Sequence, residues 1–127
     1  RTAECAVFGA EETVTLARAQ AEGRLDDWLK NFLPADVQML RIGPRALIGF
    51  PAELFVEYGL RLRELSRQSA FAISLVNGDL QGYIVTPEAA QQGGYEAANS
   101  LFDPAAGERL LATALALLDA PPGRPEP

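Results

Sequence analysis

Histidine is absent from this chain of 127 residues. It is the commonest general base near neutral pH and the commonest zinc ligand. Any proton transfer or metal binding by this chain alone must therefore use other residue types. Cysteine is nearly absent too. The single Cys5 excludes an internal disulfide framework and a cysteine-based zinc cluster. Basic charge is also scarce: 11 Lys and Arg stand against 17 Asp and Glu, for a formal net charge of -6. That balance, with no basic block, opposes binding to nucleic acid phosphates or anionic membrane surfaces. No apolar stretch approaches the roughly 20 residues of a membrane helix. The residues after Arg1 form no apolar core of a signal peptide.

What the chain does contain is ordinary globular material. Hydrophobic residues make up 48% and charged residues 22%, which excludes wholesale disorder. The length suits one domain over residues 1–120, followed by a disordered tail, "PPGRPEP", at 121–127. "ECAVF" (4–8) reads as a short strand stopped by Gly9. Residues 9–23 read as a helix with Ala10, Val14, Ala17 and Ala21 on one stripe and Gly23 at its end. Residues 24–33 read as a second helix, with Leu25, Trp28, Leu29 and Phe32 on one face, ended by Pro34.

Two apolar strands, 35–42 and 45–50, flank Gly43-Pro44, the signature of a hairpin. Pro51 then reads as the first-turn proline of an amphipathic helix over 52–68. Phe55, Tyr58, Leu62 and Leu65 line one face of it, and Glu57 and Arg61 form an i,i+4 pair on the other. "AFAISLV" (70–76) lacks polar alternation and reads as a strand buried on both faces. A loop with a helical turn near 87–91 follows. Asp103-Pro104 then opens a last helix with Leu111, Ala114, Leu115 and Leu118 on its stripe. The order β-α-α-β-β-α-β-loop-α predicts a mixed α/β fold, a small mixed sheet with helices packed on it.

Candidate chemistry sits in "GFPAELF" (49–55) and "NGDLQGYIVTPEAAQQGGYEAANS" (77–100). Glu53 in a first helical turn complements the helix dipole; beside a strand end it also stands where α/β proteins place ligands. Tyr83 and Tyr95 suit the edge of a core, with their hydroxyls bonded to backbone. Asn77 and Asp79 suit a turn, and Glu88 and Glu96 suit solvent.

Taken in order, these motifs resemble a known family. A Val-Gln strand, Pro-x-Glu, an arginine-bearing helix, an asparagine after an apolar strand, Tyr-x-x-Thr, and a Tyr-Glu twelve residues after the first tyrosine are similar to the C-terminal part of the catalytic domain of the neutral/alkaline (non-lysosomal) ceramidases. The resemblance covers roughly residues 35–102, with a looser match near 3–25. It implies a zinc-dependent amidase that hydrolyses the N-acyl bond of ceramide. Glu53 and Tyr83 would be zinc ligands beside two histidines from earlier in the family's chain. Tyr95 would lie near the reacting carbonyl, with Asn77 and Asp79 on the substrate side. The chain departs from the family at Gly78-Asp79-Leu80-Gln81, where a tyrosine is common, and at "PEAAQQ", where acids are common.

Without histidine, the resemblance implies the C-terminal portion of a larger catalytic domain, inactive and without zinc on its own. Its expected partners are an N-terminal region carrying the histidines and an amide or lipid substrate. A homo-oligomer formed through apolar surface left open by the missing part is a further expectation. The alternative is a non-catalytic, partner-binding domain on the same scaffold.

Overall fold

The computed structural model describes residues 2–24, 26–27, 30, 33–76 and 82–121. The first element is α1, Thr2–Ala21, so the strand expected at 4–8 is helix. A five-residue apolar run fits either structure. Here the helix-forming Ala and Glu residues on both sides carry the helix through it. Gly9 does not stop the chain. It allows close packing, since a Cβ added there would lie 2.6 Å from the Cβ of Ala98.

The expected apolar stripe of this helix is also wrong: Ala10, Val14, Ala17 and Ala21 are exposed, while Leu16 and Ala19 are partly covered. The closure at Gly23 is as expected. With φ 69 there, Gly23 N–H donates to Gln20 C=O and Arg24 N–H to Ala19 C=O, the paired bonds of a Schellman cap. The helix expected at 24–33 falls mostly outside the described residues; Asp26, Asp27 and Lys30 are helical. The tail at 122–127 also lies outside them.

The hairpin forms from β1, Gln38–Ile42, and β2, Arg45–Gly49, antiparallel with Leu40 opposite Leu47. Gly43 at φ 57 supplies the positive φ that a tight two-residue turn needs. A two-residue strand, β3 (Glu53–Leu54), precedes the helix α2, Val56–Leu65. Pro51 is thus not a first-turn proline, and Glu53 lies outside the helix. The backbone after β2 stays extended because it has strand partners: Glu53 N–H donates to Gly82 C=O and Phe55 N–H to Ile84 C=O.

Next comes β4, Ser69–Ile73, parallel to β2, giving the sheet order β1-β2-β4. Ala70 is buried, but Phe71 and Ile73 are exposed. The expectation of burial on both faces therefore fails: β4 is an edge strand, and among the described residues no layer covers the sheet's second face. The remaining elements are β5 (Tyr83–Ile84), α3 (Pro87–Gln92), α4 (Tyr95–Ala98) and α5 (Ala106–Asp119). β5 pairs parallel with β3 in a separate two-stranded sheet.

The fold is mixed α/β, with one core between the covered face of the sheet and helices α2 and α5. Ala46, Ile48 and Ala70 from the sheet meet Tyr58 and Leu62 from α2 and Leu111, Ala114 and Leu118 from α5. The apolar stripe expected on the last helix is in place. Asp103 Oδ1 accepts the N–H of Ala105 at 2.7 Å in the turn before the helix, but the N-cap is Ala105, with no side-chain cap bond, and not Asp103 as expected. Arg61 pairs with Glu108 across the α2–α5 contact, not with Glu57 as expected; the tertiary partner presents both carboxylate oxygens to its fork. Arg41 donates to the carbonyls of Leu118 (2.7 Å) and Ala120 (3.2 Å). A cation thus sits at the C-terminal, negative end of α5. Among the described residues no helix is long and apolar enough to cross a membrane.

Candidate functional site

The small β3–β5 sheet builds the site. Its register places Glu53 opposite Tyr83 and Leu54 opposite Ile84, and directly paired residues of adjacent strands project to the same face. The left-handed Gly82, φ 73, leads the chain into β5. Ser100 Oγ fixes that strand by donating to the carbonyl of Tyr83 at 3.0 Å.

The chain then returns through α3. Thr86 Oγ1 accepts the N–H of Ala89 at 3.1 Å, with Pro87 in the first turn, a standard helix start. Gly93 and Gly94, at φ 74 and 108, adopt conformations that strain any side chain and reverse the chain. The turn delivers Tyr95 to Tyr83: the ring centroids are 5.8 Å apart at an interplanar angle of 77°, an edge-to-face contact.

The structure thus gathers Glu53, Tyr83 and Tyr95, which lie 42 positions apart in sequence at their extremes. Glu53 and Tyr83 line an open cleft of about 490 Å³, together with Glu57, Glu96, Ser74 and Leu75. Tyr95 meets the site through its ring contact with Tyr83. Asn77 and Asp79 lie outside the described residues.

Sequence reasoning missed Glu57 as a cleft residue because its helical face was assigned to solvent. Glu96 was visible only as half of the Tyr-Glu pair. Leu75 carried no signal at all. Its φ of 61 is left-handed, a conformation costing about 1–2 kcal/mol for a residue with a Cβ. It is tied down by a 3.2 Å bond from its N–H to the carbonyl of Ala52.

Burial pushes the Tyr83 phenol above its ordinary range. The negative charge of Glu53, the neighbouring Tyr95 and Glu96, and a hydrogen bond to Glu53 push the same way. Tyr83 is accordingly a neutral donor at pH 7. A bound cation would reverse that tendency, because positive charge favours phenolate. Among the described residues no three His, Cys, Asp or Glu side chains gather closely enough to hold a metal ion. Glu53 and Tyr83 are two oxygen donors where a zinc site takes four ligands in all. They suit part of such a site, which no cluster of further ligands completes among the described residues.

No protein-family model matches the chain, nor does any curated protein or any solved structure.

Proposed function

We propose that this chain is the C-terminal portion of a zinc-dependent amidase of the ceramidase type, acting on an N-acyl amide such as ceramide. The observation that carries the reading is the convergence of Glu53, Tyr83 and Tyr95. They belong to motifs in separate parts of the sequence; Glu53 and Tyr83 line one cleft, and the ring of Tyr95 packs against Tyr83. In the completed site Glu53 and Tyr83 would hold the metal, and histidines from another region would supply the remaining ligands. Zinc, when bound, supplies an acidified water and a polarised carbonyl.

This chain's own contribution is positional. The β3–β5 register holds a carboxylate beside a phenol, and the Gly93-Gly94 turn holds a second phenol against the first. Tyr95 donates a hydrogen bond to the amide oxygen as charge builds on it, a contribution worth about 10²–10³ in rate for such donors. The three carboxylates on the cleft, Glu53, Glu57 and Glu96, also favour a cation there over an anion.

The test is to express the chain with whatever in-frame coding sequence precedes it and assay a short-chain fluorescent ceramide with and without zinc. The reading expects zinc-dependent turnover that Glu53→Gln and Tyr83→Phe each abolish, and no turnover by the 127-residue chain alone. A histidine-bearing extension whose activity ignores zinc and both substitutions sinks it, as does the lack of any such extension or neighbouring gene.

The incomplete metal site among the described residues is compatible with this reading and equally with a second, a non-catalytic domain on the same scaffold. On that reading zinc uptake stays absent when the missing region is supplied, and Glu53→Ala and Tyr83→Phe leave partner binding unchanged.

A further inference from the structure

The free edge of β4 and the exposed stripe of α2 beside it form a self-complementary surface. Phe50 N–H donates to Ile73 C=O at 2.9 Å, so the peptide groups of Ile73 face β2. By the two-residue alternation of a strand, those of Phe71 face β2 too, while those of Ala70 and Ala72 face outward. No described strand lies on that side. The sequence of the strand, SAFAI, has no charge and no proline, the devices by which edge strands usually discourage pairing.

A groove of about 360 Å³ runs along this edge, with Val56, Leu60 and Arg63 of α2 on one side and Phe71 and Ala72 of β4 on the other. Val56 is 67% exposed and Leu60 56%. Gly59 sets the level of the helix against the strand: a Cβ added there would lie 3.6 Å from the Cβ of Ala72. Leu60 therefore stands level with the middle of β4.

Charge follows the same symmetry. Glu57, Leu60 and Arg63 recur at i,i+3 spacing and so share one side of the helix. The acid and the base are equally far from the leucine and on opposite sides of it.

We propose that this surface joins two copies of the chain across a twofold axis passing beside Phe71. The two β4 strands pair antiparallel, with Ala70 and Ala72 exchanging backbone hydrogen bonds with Ala72 and Ala70 of the second copy. Phe71 meets its own twin as a non-hydrogen-bonded pair. The two α2 helices run antiparallel over the junction, Leu60 against Leu60, and each Glu57 faces Arg63 of the partner subunit. A twofold contact uses the same patch on both copies, and residues placed symmetrically about its centre meet their complements. The groove shares Leu54, Phe55, Val56 and Ser74 with the cleft. The contact therefore places a partner's guanidinium beside Glu57, on the wall of the candidate site. The dimer stands on the edge geometry and the charge pattern and does not depend on the amidase reading.

Sedimentation equilibrium of the 127-residue chain tests it, with circular dichroism confirming that each variant is folded. A closed dimer is expected. Ala72→Pro removes an outward N–H and Leu60→Glu buries like charges; each should yield monomer. Glu57→Arg and Arg63→Glu should each weaken the dimer about tenfold through lost attraction and new repulsion, and the double exchange should restore it. A monomeric wild-type chain, an open-ended aggregate, or a double exchange as weak as the single variants overturns the proposal. So does a dimer indifferent to Leu60→Glu.

Discussion

Helices α1 and α5 follow the same rules of helix formation and hold the molecule to very different degrees. α1 is the longer, 20 residues against 14, and capped at its C-terminal end, yet Val7, Phe8 and Val14 remain 48–62% exposed. It meets the rest of the described chain chiefly through α4. α5 buries Leu111, Ala114 and Leu118 and packs against both α2 and β1. Each helix carries a glycine with no room for a Cβ: at Gly9 the obstacle is Ala98, and at Gly107 it is the ring of Tyr58, 2.1 Å away. Helix length and capping make a helix; what it buries decides how much of the fold depends on it.

The largest effect should come from Gly107→Ala. In an exposed helix this change stabilises by about 1 kcal/mol. Here the methyl group collides with a buried aromatic ring, and the loss should reach about 3 kcal/mol in urea unfolding. Tyr58→Phe tests the same junction more gently. Its hydroxyl donates to the carbonyls of Val85 (3.3 Å) and Pro104 (3.5 Å), and removing it should cost about 1 kcal/mol.

The contrast also has a pH signature. Burial first, then the charge of Glu108, holds the Tyr58 phenol above its usual range, with Arg61 opposing; Tyr83 is raised by burial and Glu53. The unfolded chain ionises these phenols near pH 10, while the folded chain keeps its protons to higher pH. The stabilisation is therefore complete below about pH 10 and is lost as pH rises through the folded values. Urea unfolding followed across that range should show the decline, and Tyr58→Phe or Tyr83→Phe should flatten it. Substitutions in α1 should leave its slope unchanged.

Gly9→Ala should have the smallest effect. The gain in helix propensity, about 1 kcal/mol, offsets the clash with Ala98, and α1 can move outward without opening the core. Global stability should stay within about 0.5 kcal/mol, while hydrogen exchange of the α1 amides speeds up. A fall as large as that of Gly107→Ala would show that α1 belongs to the cooperative core.

Legibility in the sequence divides along the same line. The hairpin was readable because Gly43-Pro44 fixes a two-residue turn between apolar runs, and the stripe of α5 because its burial follows a helical period. The strand assigned to 4–8 failed where a short apolar run had no period to identify it. The helix assigned from Ala52 failed because Glu53 found a strand partner in Tyr83, 30 residues away. Motif order alone singled out Glu53, Tyr83 and Tyr95. It gave neither the cleft nor Glu57's place in it, because both depend on how β3 and β5 meet.

The sequence by itself determined what this chain lacks and which local turns it makes. No histidine means no imidazole at any site built from it, and glycines at 23, 43, 82, 93 and 94 open conformations that side chains resist. Tertiary structure decided the rest. It put β2 parallel to β4, left one sheet face and the outer edge of β4 uncovered among the described residues, and set two tyrosines and a glutamate side by side. Those outcomes rest on contacts between distant segments, whose energies depend on which surfaces meet, and no window of neighbouring residues contains that information.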